Sequence, residues 1–253
     1  MKTVLITGAS SGIGKETAFV FANNGYNLVL VARRIERLEA IKKEIEANGK
    51  SKVDIYNLDL SKLESADLLY NKIKENSLDI DVLINNAGFG INENFINSDI
   101  DKETDMILLN VVTLTRLTKL FLKDMVKKGS GHIVNIASTA AFQAIPKFAV
   151  YAATKSYVLS FSEAIAFELK GTGVSVTAIC PGATQSEFAK VSNANEAVFK
   201  KKPDSKDLAD FVYKSMKSKK IIAIHGWKNR LLVLSQRFSP RSIVTAIAAK
   251  IME

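Results

Sequence analysis

The chain has 253 residues, of which 47% are hydrophobic and 24% charged, a balance that fits a soluble globular protein with a sizeable core rather than a disordered or membrane-spanning one. Its net charge of +9 is local: residues 190–253 hold 14 Lys and Arg against 5 Asp and Glu, whereas residues 1–189 hold 21 of each. One cysteine, Cys180, and two histidines, His132 and His225, are too few for an internal disulfide or a zinc-type ligand cluster, so metal chemistry is not expected.

The first strand is predicted over residues 3–7, at once and without a charged leader, and no apolar run reaches the ~20 residues of a membrane span; a cytoplasmic location is expected. That strand runs into Thr7-Gly8-Ala9-Ser10-Ser11-Gly12-Ile13-Gly14, after which a helix begins. Such a turn lets backbone amides approach a pyrophosphate beside a helix N-terminus, although glycines like these also serve plain tight turns. The second strand, 27–32, ends in Ala32-Arg33-Arg34. An acid there would bind an adenosine ribose hydroxyl, whereas two guanidinium groups attract a 2′-phosphate and favour NADP(H) over NAD(H). Alternatively, Arg33 and Arg34 only open the charged helix that follows.

Further strands are predicted over 52–58, 81–85, 132–137, 174–180 and 221–225, with helices between them. Their continuous apolar character, without period-2 alternation, fits a parallel sheet covered on both faces. The expected fold is α/β, a three-layer, Rossmann-type doubly wound parallel sheet of about seven strands. No proline precedes Pro146 and no linker divides the chain. Residues 1–253 are therefore expected to form one catalytic domain, with 184–204 as a substrate-side loop and 226–253 as a basic C-terminal helical segment. Helices predicted over 106–126 and 151–169 are apolar nearly all round, which points to burial on more than one side. A second subunit packed on them would give a homodimer or homotetramer; the C-terminal segment covering them is the alternative.

These residues, in this order and spacing, resemble the short-chain dehydrogenase/reductase family over essentially residues 1–190. Thr7 to Gly14 matches its T-G-x-x-x-G-I-G pattern, and Asn85-Asn86-Ala87-Gly88 its N-N-A-G; then come Asn110, Ser138 and Tyr151-x-x-x-Lys155. The resemblance implies cofactor contacts at Gly8, Ser10, Ser11, Gly12, Ile13, Gly14, Arg33 and Arg34, with adenine against Asp59 and Leu60. It also implies contacts at Asn86, Ala87, Gly88, Tyr151 and Lys155, and at Pro181, Gly182 and Thr184 beside the nicotinamide. Where the family pattern then has threonine, this chain has Ser186, which keeps the hydroxyl. Each short match has a structural alternative: Asn85 and Asn86 can stabilise a turn, and Asp59 can serve a helix start, with Ser61 the better cap.

Tyr151 and Lys155 are four residues apart and share a helix face. The Lys155 ammonium is expected to lower the phenol pKa from ~10, making Tyr151 the general acid or base. Ser138 can hold the reacting oxygen, and the resemblance implies that Lys155 binds nicotinamide ribose hydroxyls while Asn110 positions a water that links Lys155 to solvent. Cys180 and the histidines carry no expected role.

Phe89, Phe95, Phe142, Ile145, Phe188 and Phe199, with few charges before Lys200-Lys201-Lys202, suggest an apolar pocket for a hydrophobic ketone or aldehyde. Trp227, Leu231, Leu234 and Phe238 form one helical stripe, and Ile243, Ile247 and Ile251 another, with Lys228, Arg230, Arg237 and Arg241 between. Such pieces can lie on anionic membranes, cover the chain's own pocket or extend a subunit interface. The expected activity is NADP-dependent hydride transfer between a carbonyl and an alcohol; no basic helix or aromatic platform suggests nucleic-acid binding. A 3-oxoacyl reductase acting on carrier-bound chains and a non-catalytic NADP-sensing protein are the alternatives.

Overall fold

A computed structural model describes residues 1–49, 51–193 and 203–252. In chain order the elements are β1 (Thr3–Thr7), α1 (Gly12–Asn23), β2 (Asn27–Ala32), α2 (Ile35–Asn48), β3 (Val53–Asn57), α3 (Ser65–Glu75), β4 (Val82–Asn85), α4 (Ile100–Ile107), α5 (Leu114–Lys128) and β5 (Gly131–Ile136). There follow α6 (Ala149–Glu168), β6 (Val174–Cys180), α7 (Phe188–Val191), α8 (Ser205–Lys217), β7 (Ile222–Ile224), α9 (Trp227–Gln236) and α10 (Arg241–Met252). The strands form one sheet in the order β3-β2-β1-β4-β5-β6-β7, with every pairing parallel. The expected three-layer, doubly wound sheet is thus present, and its seven strands lie within one residue of the predicted ranges.

Continuous apolar strands are required because both faces are covered. Val4 and Ile6 of β1 pack with Phe21, Leu38 and Val212 on one side. Leu5 between them packs with Leu69, Phe121 and Met125 on the other. The strand order reverses between β1 and β4, and at such a point the loops leaving the carboxyl ends diverge and leave a crevice.

Two local readings are corrected. The helix predicted over 106–126 begins earlier, at α4, where the Asp99 carboxylate accepts from the Asp101 and Lys102 amides. It also carries a π-helical turn over Leu108–Thr113 before continuing as α5. The apolar run marks only the part facing the sheet, so its polar first turns escaped the pattern. Ser61 caps no helix: its amide and hydroxyl both donate to Asp59 Oδ1, at 3.0 and 2.9 Å, and α3 starts only at Ser65. Among the described residues, no helix is long and apolar enough to cross a membrane.

Candidate active site

The turn after β1 is held by backbone that only glycine adopts readily: Gly8 and Gly12 have φ of +67° and +52°. A Cβ on Gly14 would sit 2.3 Å from the Gly8 carbonyl oxygen, so Gly14 lets α1 pack directly on the turn and does not line the cavity. Thr7 ties this turn to the loop after β4. Its Oγ1 accepts from the Asn86 and Ala87 amides, each at 3.0 Å, while Asn86 Nδ2 donates to the Thr7 and Gly8 carbonyls at 2.9 and 3.2 Å. Beneath them Asn85 Nδ2 donates to Thr118 and Asn135, and Asn135 Nδ2 to Ser162 Oγ at 2.9 Å. This buried chain fixes β4, β5, α5 and α6 relative to one another. The sequence reading passed over Asn135, Thr118 and Ser162; a polar residue inside the apolar run HIVNI was the available signal.

At the far end of the crevice Arg34 is exposed yet engaged. Its Nε and Nη2 donate to Ser10 Oγ at 3.2 and 3.1 Å, and Nη2 also donates to Ser11 Oγ at 2.8 Å. Its Nη1 donates to Glu187 Oε2 at 2.8 Å, and Arg37 Nη1 donates to Glu187 Oε1 at 2.7 Å. Arg37 and Arg34 hold the Glu187 carboxyl down to about 2. Arg33, Asp59 and Leu60 line the same end. No carboxylate stands at the end of β2 or beside Arg33 and Arg34 in sequence, but folding delivers one, Glu187, from the loop after β6.

Ser138 stands at the carboxyl end of β5, where its Oγ accepts from the Ala140 amide at 3.1 Å and lies near enough to the Tyr151 phenol to influence its ionisation. Tyr151 lies in the first turn of α6 and Lys155 one turn on. Lys155 is buried, donates from Nζ to the Ile136 carbonyl at 2.7 Å, and lies 5.8 Å from the Tyr151 ring centroid. Burial pushes the phenol up to about 12 against the opposing pull of Ser138, and burial brings the Lys155 ammonium down to about 8. The expectation that Lys155 lowers the phenol pKa is therefore not met here: desolvation dominates, and the ammonium is directed at a carbonyl.

Asn110 sits in the π-helical turn, behind the cavity wall. Its Nδ2 donates to the Phe89 carbonyl at 2.9 Å and Thr154 Oγ1 at 3.1 Å, and its Oδ1 accepts from the Phe89 amide at 3.2 Å. A Cβ on Gly88 would lie 2.7 Å from Asn110 Oδ1 and 3.6 Å from Lys155 Nζ, which explains the glycine of the N-N-A-G run. Pro181, Gly182 and Thr184 line the cavity, Thr184 Oγ1 donating to the Gly182 carbonyl at 3.1 Å. Ser186 Oγ accepts from the Phe188 amide at the start of α7.

One cavity of about 610 Å³ joins these parts, from Arg33, Arg34 and Asp59, past Gly8 to Ile13, to Ser138, Tyr151 and Lys155. Its length past a backbone-lined turn and a buried ammonium with two donors to spare fits a dinucleotide. Of the expected apolar residues, Phe89, Ile145 and Phe188 line it, with the Phe188 ring centroid 5.3 Å from that of Tyr151. Phe142 instead packs with Val158 and Leu159, Phe95 is 64% exposed, and Phe199 with Lys200 to Lys202 lies outside the described residues. Phe148, Val191 and Leu232, which the sequence reading missed, complete the wall. Phe148 precedes Tyr151 by three residues, a spacing that could have flagged it. His132 is buried and bonded to Thr177 Oγ1 at 2.8 Å, and His225 packs on Phe211, away from this chemistry.

Comparison with known proteins gives a family and several relatives. The family model for short chain dehydrogenases matches residues 2–197. An NADP-dependent 3-hydroxy acid dehydrogenase of Schizosaccharomyces pombe is 36% identical over 216 residues, 85% of this chain and 80% of its own. A short-chain dehydrogenase from Sphingobium yanoikuyae, solved in complex with NADPH, superposes with a TM-score of 0.85 at 31% identity, covering 94% of each chain. A bulky-bulky ketone specific alcohol dehydrogenase from Comamonas testosteroni gives a TM-score of 0.81 at 31% identity, over 94% of this chain and 92% of that one.

Proposed function

The chain belongs to the short-chain dehydrogenase/reductase family and is an oxidoreductase, and we propose that it uses NADP(H) to interconvert a carbonyl and an alcohol on a hydrophobic ketone or aldehyde. The observation that carries this reading is the placement of Tyr151, beside Ser138 and one turn from buried Lys155, on a cavity whose opposite end holds Arg33 and Arg34.

A bound nicotinamide supplies or accepts the hydride. Everything else falls to this chain. Ser138 Oγ and Tyr151 Oη hold the substrate oxygen between them, and Tyr151 Oη passes its proton to that oxygen in reduction. With its pKa pushed up to about 12 the phenol is protonated at neutral pH, so the resting site holds the acid that reduction needs. Lys155 uses one donor on Ile136 and has two left for ribose hydroxyls. Asn110, through Phe89 and Thr154, sets the loop and helix on either side of Lys155 and serves proton supply. Ser10, Ser11, Arg33 and Arg34 receive the adenosine 2′-phosphate; the relatives named for NADP and NADPH support that choice.

Phe148, Phe188, Val191 and Leu232 favour a bulky apolar body on the carbonyl, in line with the ketone specificity in the Comamonas enzyme's name. Exposed Ile107, Tyr157 and Phe167 on the outer sides of α4 and of α6 support a homo-oligomer. The test is consumption of NADPH and of NADH at equal concentration with aromatic, alicyclic and acyl carbonyl compounds. Turnover of one group with NADPH preferred is expected. Equal use of NADH removes the NADP assignment, and no turnover with any carbonyl removes the carbonyl–alcohol assignment.

A further inference from the structure

Helices α9 and α10 carry a surface that the cavity's chemistry does not use. Each turns one buried side chain to the protein, Val233 in α9 and Ala248 in α10, among the described residues. Trp227 is 67% exposed and Phe238, just past the end of α9, 83%; Leu231, Leu234, Ile243 and Ile247 are each more than half exposed. At 3.6 residues per turn Trp227, Leu231 and Leu234 fall within ~60° of one another, while Val233 lies ~130° away. The apolar stripe of α9 thus faces away from the protein that holds it. A monomer does not normally leave a contiguous patch of this kind open.

The charges around the stripe decide what fits it. Lys228 flanks it on one side and Arg230 on the other, and Arg237, Arg241 and Lys250 follow. Residues 227–252 contain no Asp or Glu, and none of these five cations takes part in an ion pair among the described residues. A second copy packed by two-fold symmetry would set this basic surface against itself without an acid to receive it. An anionic bilayer offers acyl chains to the stripe and phosphates to its flanks.

We propose that α9 and α10 form a docking surface for an anionic lipid membrane, with Trp227, Leu231, Leu234 and Phe238 at the acyl boundary and Lys228, Arg237 and Arg241 among the headgroups. The protein lies on the membrane and does not span it. Because Leu232 of α9 is also a wall of the cavity, the docked element borders the substrate side of the molecule.

Trp227 is the single tryptophan of the chain, so its fluorescence reports this surface alone. The full chain should sediment with vesicles of phosphatidylcholine mixed with phosphatidylglycerol, release as salt is raised, ignore pure phosphatidylcholine, and show blue-shifted emission when bound. Arg237→Glu with Arg241→Glu should cut binding roughly 30-fold or more, and Leu231→Gln with Leu234→Gln should abolish the blue shift; unchanged NADPH binding shows that both variants are folded. No sedimentation with anionic vesicles at low salt overturns the proposal, as does binding that the charge reversals leave intact. A blue shift that instead follows protein concentration without lipid, with a dimer mass lost in Leu231→Gln, overturns it in favour of a second copy.

Discussion

Glu187 grips Arg34 across the adenosine end of the cavity, Oε2 to Nη1 at 2.8 Å, although 153 residues separate the two in sequence. The same carboxylate also receives Arg37, and the next residue, Phe188, rests on Tyr151. One short segment therefore touches both ends of the cavity. A 2′-phosphate arriving at Arg34 must compete with a carboxylate already there. Glu187→Gln should tighten binding of 2′,5′-ADP by up to about 5-fold, the worth of a half-exposed ion pair, and leave 5′-AMP unchanged. Isothermal titration with both nucleotides checks this; weaker 2′,5′-ADP binding would mean that Glu187 organises Arg34 for the phosphate instead.

Arg34→Ala removes the guanidinium that bonds Ser10, Ser11 and Glu187 together. A charge-assisted hydrogen bond to phosphate is worth roughly 1.5–3 kcal/mol, so the ratio of kcat/KM for NADPH over NADH should fall about 10- to 100-fold. Steady-state kinetics with both cofactors measures the ratio. An unchanged ratio would move the phosphate to Arg33 or Arg37.

The strands and the Tyr151–Lys155 pair were legible in the sequence, each for its own reason. β1 through β7 announce themselves because strands covered on both faces must be apolar throughout, and Tyr151 and Lys155 because four residues make one helical turn. Glu187 and the buried chain from Asn85 to Ser162 were not legible. Their partners come from distant strands, and only the folded sheet brings them together. The π-helical turn around Asn110 was hidden for another reason: periodicity detects an apolar face, and a one-residue widening of the helix leaves that face almost unaltered.

Tyr151→Phe keeps the ring contacts with Phe148 and Phe188 and removes only the phenolic hydroxyl that faces Ser138. Turnover should fall by about 10²- to 10⁴-fold, the usual weight of general acid catalysis, while NADPH affinity by fluorescence titration stays within a factor of a few. Retained turnover would displace Tyr151 as the proton donor.

Lys155 makes alkaline stability informative. Its folded-state pKa, brought by burial from 10.5 to about 8, means that the folded chain loses this proton before the unfolded chain does. Burying the ammonium costs stability below pH 8, and the cost lifts as pH rises from 8 towards 10.5. Wild type should therefore gain on Lys155→Met by up to about 3 kcal/mol across that window, seen as a converging or crossing difference in Tm. A constant difference would mean that Lys155 titrates near its ordinary value.

His132 governs the acid side. Burial, with a smaller contribution from Lys219, brings its pKa from 6.5 to about 4, and its Nε2 is 2.8 Å from Thr177 Oγ1. The folded chain keeps the ring neutral where the unfolded chain protonates it, so stability is intact above pH 6.5 and declines as pH falls to 4. The loss attributable to this residue is about 3 kcal/mol by pH 4. His132→Gln presents an amide to Thr177 and cannot titrate. Its Tm should fall less steeply than that of wild type between pH 6.5 and 4, while carboxylate contributions common to both chains cancel in the difference. Parallel curves would show that His132 protonates without disturbing the β5–β6 pairing that surrounds it.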